Sequence, residues 1–305
     1  MTASMLHIAV LLVLPPLLVG IIRKTKALVA GRVGPPLWQT YADIVKLLRK
    51  GAVISTTTTW VFAAGPIVSL AATLSAGLLV PIGSRAPIQF TGDVVAFAAL
   101  LALGRWFTMA AALDTGSSFE GMGASREAMI SAFAEPALLL GLTTLCVPAH
   151  ALSFGAAFQT WSSATSSVAE PALLASAITF FIYLLADGSR IPFDDPATHL
   201  ELTMVHEVMI LDHGGPDLAF ATYAHALKLF VVGNVVVHAL LPVQVDNLGL
   251  STGLLIACQV ALAASVGLVE SVTARLRLSK VPEVLVGATV ITALGLITLF
   301  YRGRP

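Results

Sequence analysis

Residues 186–207 read ADGSRIPFDDPATHLELTMVHE, a stretch that sets five carboxylates, Asp187, Asp194, Asp195, Glu201 and Glu207, between two segments that are otherwise apolar. Which fold tolerates that arrangement is decided by the rest of the chain. Of its 305 residues, 57% are hydrophobic and 11% are charged, where a soluble domain carries about 25% charged residues. The chain therefore reads as an all-α integral membrane protein. At roughly 20 apolar residues per crossing, it has room for about eight helices with short loops, which makes residues 1–305 a single polytopic membrane domain. Formal net charge is zero, so the total singles out no partner class, and no nucleic acid is expected.

Hydropathy windows of about 19 residues predict crossings over 3–22, 60–83, 92–113, 128–148, 170–186, 217–241, 251–271 and 282–301. The first run has no basic residue before it and no small-residue cleavage site after it, so it is expected to be retained as a helix. Basic residues crowd the loop after the first crossing, from Arg23 to Lys50, and the loop after the seventh, at Arg275, Arg277 and Lys280. The positive-inside rule then places both termini outside, against the dissent of Arg302 and Arg304. Within the first inside loop, Leu37, Tyr41, Ile44, Val45 and Leu48 recur at helical spacing, with Asp43, Lys46, Arg49 and Lys50 on much of the other side. That pattern describes an amphipathic helix lying in the interface. The Ser-, Thr- and Ala-rich stretch 152–168 reads as a partly ordered outside loop.

Charges inside the bilayer are the first functional signal, because each costs a few kcal/mol at mid-depth. Arg105, Glu135 and Lys228 sit there, and Pro136 beside Glu135 removes a backbone hydrogen bond that can open the helix. In the opening stretch, Asp195 before Pro196 makes a helix start, predicting a short acidic helix over 196–212 on the inside face. On such a helix Glu201 and Asp212 share one face, roughly 16 Å apart along the axis. Acids crowded in a low dielectric cannot all ionise, as a proton relay requires. His199, Glu201, His206 and Glu207 offer a competing metal reading, but HLELTMVHE is not HExxH and the histidines lie too far apart for one helical turn. Cys146 and Cys258 each sit in an apolar run without a second thiol at ligand spacing, so neither metal nor iron–sulfur cluster is expected in this chain.

Four blocks, GRVGPPLWQTYADIVKLLRKG (31–51), LDTGSSFEGMGASREAMISAFAEP (113–136), ADGSRIPFDDPATHLELTMVHEVMILDHGG (186–215) and ESVTARLRLSKVPEVL (270–285), give the chain a family likeness over essentially its whole length. It resembles subunit 1 of respiratory complex I, and more closely the corresponding membrane subunit of group 4 NiFe hydrogenases of the formate hydrogenlyase and hydrogenase-4 type. Asp187, Arg190, Pro192–Phe193–Asp194 and Glu201 match the complex I pattern. The Asp194–Asp195–Pro196 step, the run Thr198 to Leu202 and the His206–Glu207 pair follow the hydrogenase version. Two departures stand out: Thr40 where relatives have proline, and Asp212–His213 where they have Glu-Tyr.

The resemblance implies an anchor and coupling subunit in the inner (cytoplasmic) membrane. A hydrogenase-like large subunit and an iron–sulfur small subunit would dock over Arg32, Gln39, Asp43, Lys46, Arg49, Arg275 and Arg277. Antiporter-like membrane subunits would lie alongside, and the NiFe centre and clusters would belong to the partners. Glu135, Asp187, Asp194, Asp195, Glu201, Glu207 and Asp212 would form a proton route, with Arg105, Arg190 and Lys228 as counter-charges. Three alternatives stand beside this expectation: quinone binding between the amphipathic helix and the acidic segment, a free-standing ion transporter, and a purely structural anchor.

Overall fold

The computed structural model describes residues 2–83, 85–163, 171–194, 204–242, 245 and 247–302. Helices account for the architecture: α1 Thr2–Val29, α2 Gln39–Leu48, α3 Trp60–Leu79, α4 Asp93–Asp114, α5 Ser118–Cys146, α6 Phe154–Ser163, α7 Pro171–Asp187, α8 His206–Met209, α9 Gly215–Leu240, α10 Leu248–Val272 and α11 Val281–Arg302. No strand occurs among the described residues. Among the described residues, seven helices (α1, α3, α4, α5, α9, α10 and α11) are long and apolar enough to cross a membrane. The 17-residue α7 spans roughly 26 Å at 1.5 Å per residue and packs against α5, α9 and α11, which makes it the eighth member of the bundle.

These helices are apolar all round, which is how a helix reads when lipid or other helices cover every side. Of the seven, α9 has 72% of its apolar window inside the bundle and α11 only 22%, so α9 is the central element and α11 a peripheral one. Without a hydrophobic drive between helices in lipid, close backbone approach matters. At Gly65 of α3, a Cβ would meet the Ala111 methyl of α4 at 2.6 Å, so the two helices lie against each other only because the side chain is missing. At Gly20 of α1, the Leu37 carbonyl occupies the space a Cβ would need, which seats the turn before α2 against α1.

The amphipathic helix is present as α2, packed on α1 and α9. Its buried residue is Thr40, while Leu37, Val45 and Leu48 remain exposed, an apolar edge suited to the membrane interface. The Tyr41 hydroxyl donates to the Val13 carbonyl of α1.

In four places the structure departs from the sequence expectation. Helix α1 runs to Val29, seven residues past the predicted end, so Arg23, Lys24 and Lys26 lie on it and not in the loop after it. The fourth crossing begins at Ser118, ten residues before the predicted 128, so Arg126 and Glu127 belong to α5 and not to a loop. The stretch predicted as a partly ordered loop contains helix α6, because Phe154, Ala157, Phe158 and Trp161 fall on one face and are buried. Finally, the predicted helix over 196–212 is replaced, within its described part, by the single turn α8. Residues 195–203, including Asp195, His199 and Glu201, lie outside the described residues.

Helix α6 depends on Asp93, whose carboxylate accepts from the Phe154 amide at 2.9 Å and the Ser153 hydroxyl at 3.0 Å. Removing a capping carboxylate costs about 0.5–2 kcal/mol. Asp93→Ala is expected to lower thermal stability by that amount and to open the chain around Phe154 to proteolysis before the rest. An unchanged melting curve and digestion pattern would contradict this role.

Candidate functional site

At the centre of the bundle Arg105 of α4 gathers acids from two other helices. Its Nη1 lies 2.5 Å from Glu135 Oε1 and its Nε 3.7 Å from Glu127 Oε1, both on α5; its Nη2 lies 3.0 Å from Asp187 Oδ1 at the end of α7. The same Nη2 donates to the Tyr183 hydroxyl at 2.9 Å. Lys228 of α9 reaches Asp187 Oδ1 at 3.3 Å, so one carboxylate oxygen is shared by two cations, while Asp187 Oδ2 has no hydrogen-bond partner among the described residues. A planar guanidinium with several donors is the side chain best suited to such a junction.

Arg105, Asp187 and Glu127 are buried, with side chains 4%, 3% and 6% exposed, but Glu135 is 44% exposed. The cluster therefore opens sideways at Glu135, in the middle of a spanning helix. Among the described residues, three carboxylates of the cluster stand against two cations.

A second cluster lies towards α1 and α10. Glu270 of α10 pairs with Lys26 of α1 at 2.8 Å and with Arg190 at 3.5 Å. Arg190 is buried, and desolvation pulls its guanidinium below the usual range while Glu270 opposes the shift. Between the two clusters runs the segment that follows α7. Asp194 Oδ2 accepts from the amides of Val205 and His206, at 3.1 and 3.2 Å, and Asp194 Oδ1 pairs with Arg275 at 3.2 Å. A carboxylate on the first free amides favours a helix start there, which is why α8 begins at His206. Arg126 Nη1 donates to the Met204 carbonyl at 2.8 Å, and the Asp212 amide donates to Glu120 Oε1 at 3.0 Å. Residues 204–212 are thus tied to α5 at both ends.

Two cavities flank this segment. One, of about 30 Å³, is lined by Arg105, Glu127, Lys228, His206, His213 and His225 among others; the other, of about 410 Å³, lies between α1, α2, α9 and α10 and is lined by Arg23, Lys26, Arg190, Glu207 and Glu270 together with Thr40. His213 stacks on Phe62 at 4.0 Å, and burial lowers its pKa.

Of the residues singled out from sequence, Arg105, Glu135, Asp187 and Lys228 converge on one cluster, and Arg190 joins another. Asp194 and Arg275 pair with each other, Glu207 lines the larger cavity, and the Asp212 side chain is exposed. Gln39 donates to Asp43 at 2.8 Å along α2, and Arg32, Lys46, Arg49 and Arg277 are exposed on the same end of the bundle. Sequence reading missed Glu127, Tyr183, Glu270, Lys26 and His225. Glu127 carried a usable signal: seven residues after Glu120 and eight before Glu135, it lies within about 80° of both around a helix.

Fold and site together define an all-helical membrane subunit whose spanning helices enclose ionisable side chains. The chain belongs to the NADH dehydrogenase subunit 1 family: the family profile described as NADH dehydrogenase matches residues 1–301. Formate hydrogenlyase subunit 4 of Escherichia coli (strain K12) is 32% identical over 285 residues, covering 90% of this chain and 91% of that protein. Hydrogenase-4 component C of the same organism is 34% identical over 238 residues, covering 76% and 73%. A chain of the membrane-bound sulfane sulfur reductase, an archaeal respiratory membrane complex, matches with a TM-score of 0.84 over 97% of this chain and 98% of that one. At 23% identity this last likeness shows the fold alone. The protein is thus a complex I-like membrane subunit whose relatives are parts of multi-subunit membrane complexes.

Proposed function

We propose that this chain is the membrane anchor and coupling subunit of a formate hydrogenlyase or hydrogenase-4 type complex, linking electron transfer in its partners to proton movement. It holds no redox centre of its own in this reading; the NiFe centre and iron–sulfur clusters belong to a large and a small subunit docked over α2 and the basic loops. Arg32, Lys46, Arg49 and Arg277 supply positive charge for that docking and for lipid phosphates. The excess of Lys and Arg at this end argues that it faces inside, in the cytoplasmic membrane, with both termini outside. Asp187, Glu127 and Glu135 carry the proton, Arg105 and Lys228 hold them in the membrane, and the opening at Glu135 faces antiporter-like membrane subunits. Asp195 and Glu201 extend the route in this reading.

One observation carries the proposal: carboxylates of α5 and α7 are held in the bundle core by Arg105 and Lys228, with one member reaching the lateral surface. Buried ionisable groups in a bilayer mark ion routes by default. A liposome experiment tests it. The assembled complex is expected to acidify or alkalinise the lumen during redox turnover, whereas the purified chain alone should move no protons; transport by the chain alone would make it a free-standing transporter.

The larger cavity favours a second reading. It is bordered by α2 and α1, has the volume for an amphiphile's head, and presents the buried Thr40 hydroxyl, which has no hydrogen-bond partner among the described residues. Thr40 and a neighbouring imidazole would donate to a quinone carbonyl there. Quinone-linked turnover blocked by quinone-site inhibitors would favour it over the first reading.

A further inference from the structure

Among the described residues, three line both cavities: His206, Ile210 and His225. The two imidazoles stack, with ring centroids 4.5 Å apart and planes 27° from parallel. They come from different elements, His206 from the first position of α8 and His225 from α9. The small chamber on one side reaches Glu127, Arg105 and Lys228, and the larger one reaches Glu207, Glu270 and Arg190. The stacked pair is therefore the wall between the two charge clusters.

Packing alone gives no reason for imidazoles in this wall. His206 Nε2 and His225 Nδ1 are buried and have no hydrogen-bond partner among the described residues, and a buried polar group left in that state costs about 1–3 kcal/mol. Phenylalanine would stack equally well without that cost. The neighbouring groups come from every side: Arg23 of α1, Glu127 of α5, Asp187 of α7 and Lys228 of α9, with Arg190 after α7. Burial pushes the His206 pKa down to about 3, helped by Lys228, so this ring is neutral at physiological pH. A neutral imidazole has one donor and one acceptor nitrogen. The small chamber has room for on the order of two waters, so a proton can reach either ring by hydrogen bonds.

We propose that His206 and His225 form a proton-transfer gate joining the two chambers. This rests on the proton-route reading given above. A proton arriving from one chamber binds the acceptor nitrogen of the first ring, whose other nitrogen passes its proton through a water to the acceptor nitrogen of the second ring. The second imidazolium so formed releases the proton of its other nitrogen to water or carboxylate in the next chamber. Both rings end neutral with their tautomers exchanged, and no electrons change hands. Ile210, the third residue of the wall, passes nothing and closes the remaining gap.

The test uses the assembled complex in proteoliposomes and reads protons moved per electron pair. His206→Phe and His225→Phe keep the stack and remove the transfer. Each is expected to lower the ratio by about tenfold or more, and the double variant should be no worse than the poorer single one, because the rings act in one series step. Glu135→Gln serves as the route control. If both Phe variants keep the wild-type ratio while Glu135→Gln loses it, the gate is wrong and the route stands. Unchanged ratios in all three would overturn the route, and the gate with it. Should the Phe variants fail to assemble, His206→Gln and His225→Gln restore a polar side chain that cannot relay a proton. A wild-type ratio in these, or failure of all four to assemble, makes the pair structural and ends the proposal.

Discussion

Arg105→Met is expected to leave almost no assembled protein. The substitution keeps length and apolar volume but strands Asp187, Glu127 and Glu135 around a vacated charge, with Lys228 alone to answer them. Removing one partner of a buried ion pair is destabilising by about 3–5 kcal/mol, a large share of the 5–15 kcal/mol that holds a typical folded protein together. Arg105→Lys retains the charge but cannot reach three carboxylates and Tyr183 at once, so a smaller loss is expected. Combining Arg105→Met with Asp187→Asn removes a positive and a negative charge together and should recover part of the stability, since contacting residues couple. Thermal melting of detergent-solubilised complex measures all three; full stability of Arg105→Met would mean the cluster holds nothing.

Glu135→Gln is expected to do the reverse, sparing assembly and damaging coupling. The Glu135 side chain is 44% exposed and its amide replacement still offers an oxygen to Arg105 Nη1. Loss of a pair this open alters stability by only about 0–1 kcal/mol. Its chemistry is another matter, because an amide cannot take up and release a proton at the one point where the buried cluster meets the lateral surface. Groups that transfer protons in a rate-determining step contribute about 10²–10⁴-fold, so the coupled flux through this point should fall by at least an order of magnitude.

Much of this was readable from the residues. Apart from the end of α1 and the start of α5, apolar runs set the spanning helices to within a few residues, because in lipid every backbone group must bond within its own helix and the run length is dictated by membrane thickness. Arg105, Glu135 and Lys228 stood out as charges inside apolar sequence, and the fold brings them and Asp187 together. What failed were the elements where tertiary contacts override local pattern. The first turns of α5, SFEGMGASREAM, average out as polar in a hydropathy window, yet Gly123, Ala124 and Glu127 are buried against α8 and the charge cluster. Gly123 in particular sits under the Val208 and Met209 side chains, a close approach that no periodicity announces.

The segment after α7 misled for a different reason. The expected start at Asp195–Pro196 lies outside the described residues; in the described part Asp194 places its carboxylate on the amides of Val205 and His206, eleven and twelve positions on, and a helical turn forms there. Helix α6 was legible in principle, since Phe154, Phe158 and Trp161 keep helical spacing; the surrounding Ser and Thr hid it. Arg190 and Glu270 illustrate the limit most clearly. They lie 80 positions apart in sequence, and only the packing of α10 beside α1 and α9 brings them to 3.5 Å.

The central claim is that the buried acids carry protons in step with electron transfer. Proteoliposomes holding the assembled complex, wild type or Glu135→Gln, can be followed for proton movement and redox turnover at the same time. The account predicts a fixed ratio of protons to electrons in the wild type and a ratio at least about tenfold lower in the variant. Equal ratios in the two preparations would contradict it and leave the acids as docking contacts.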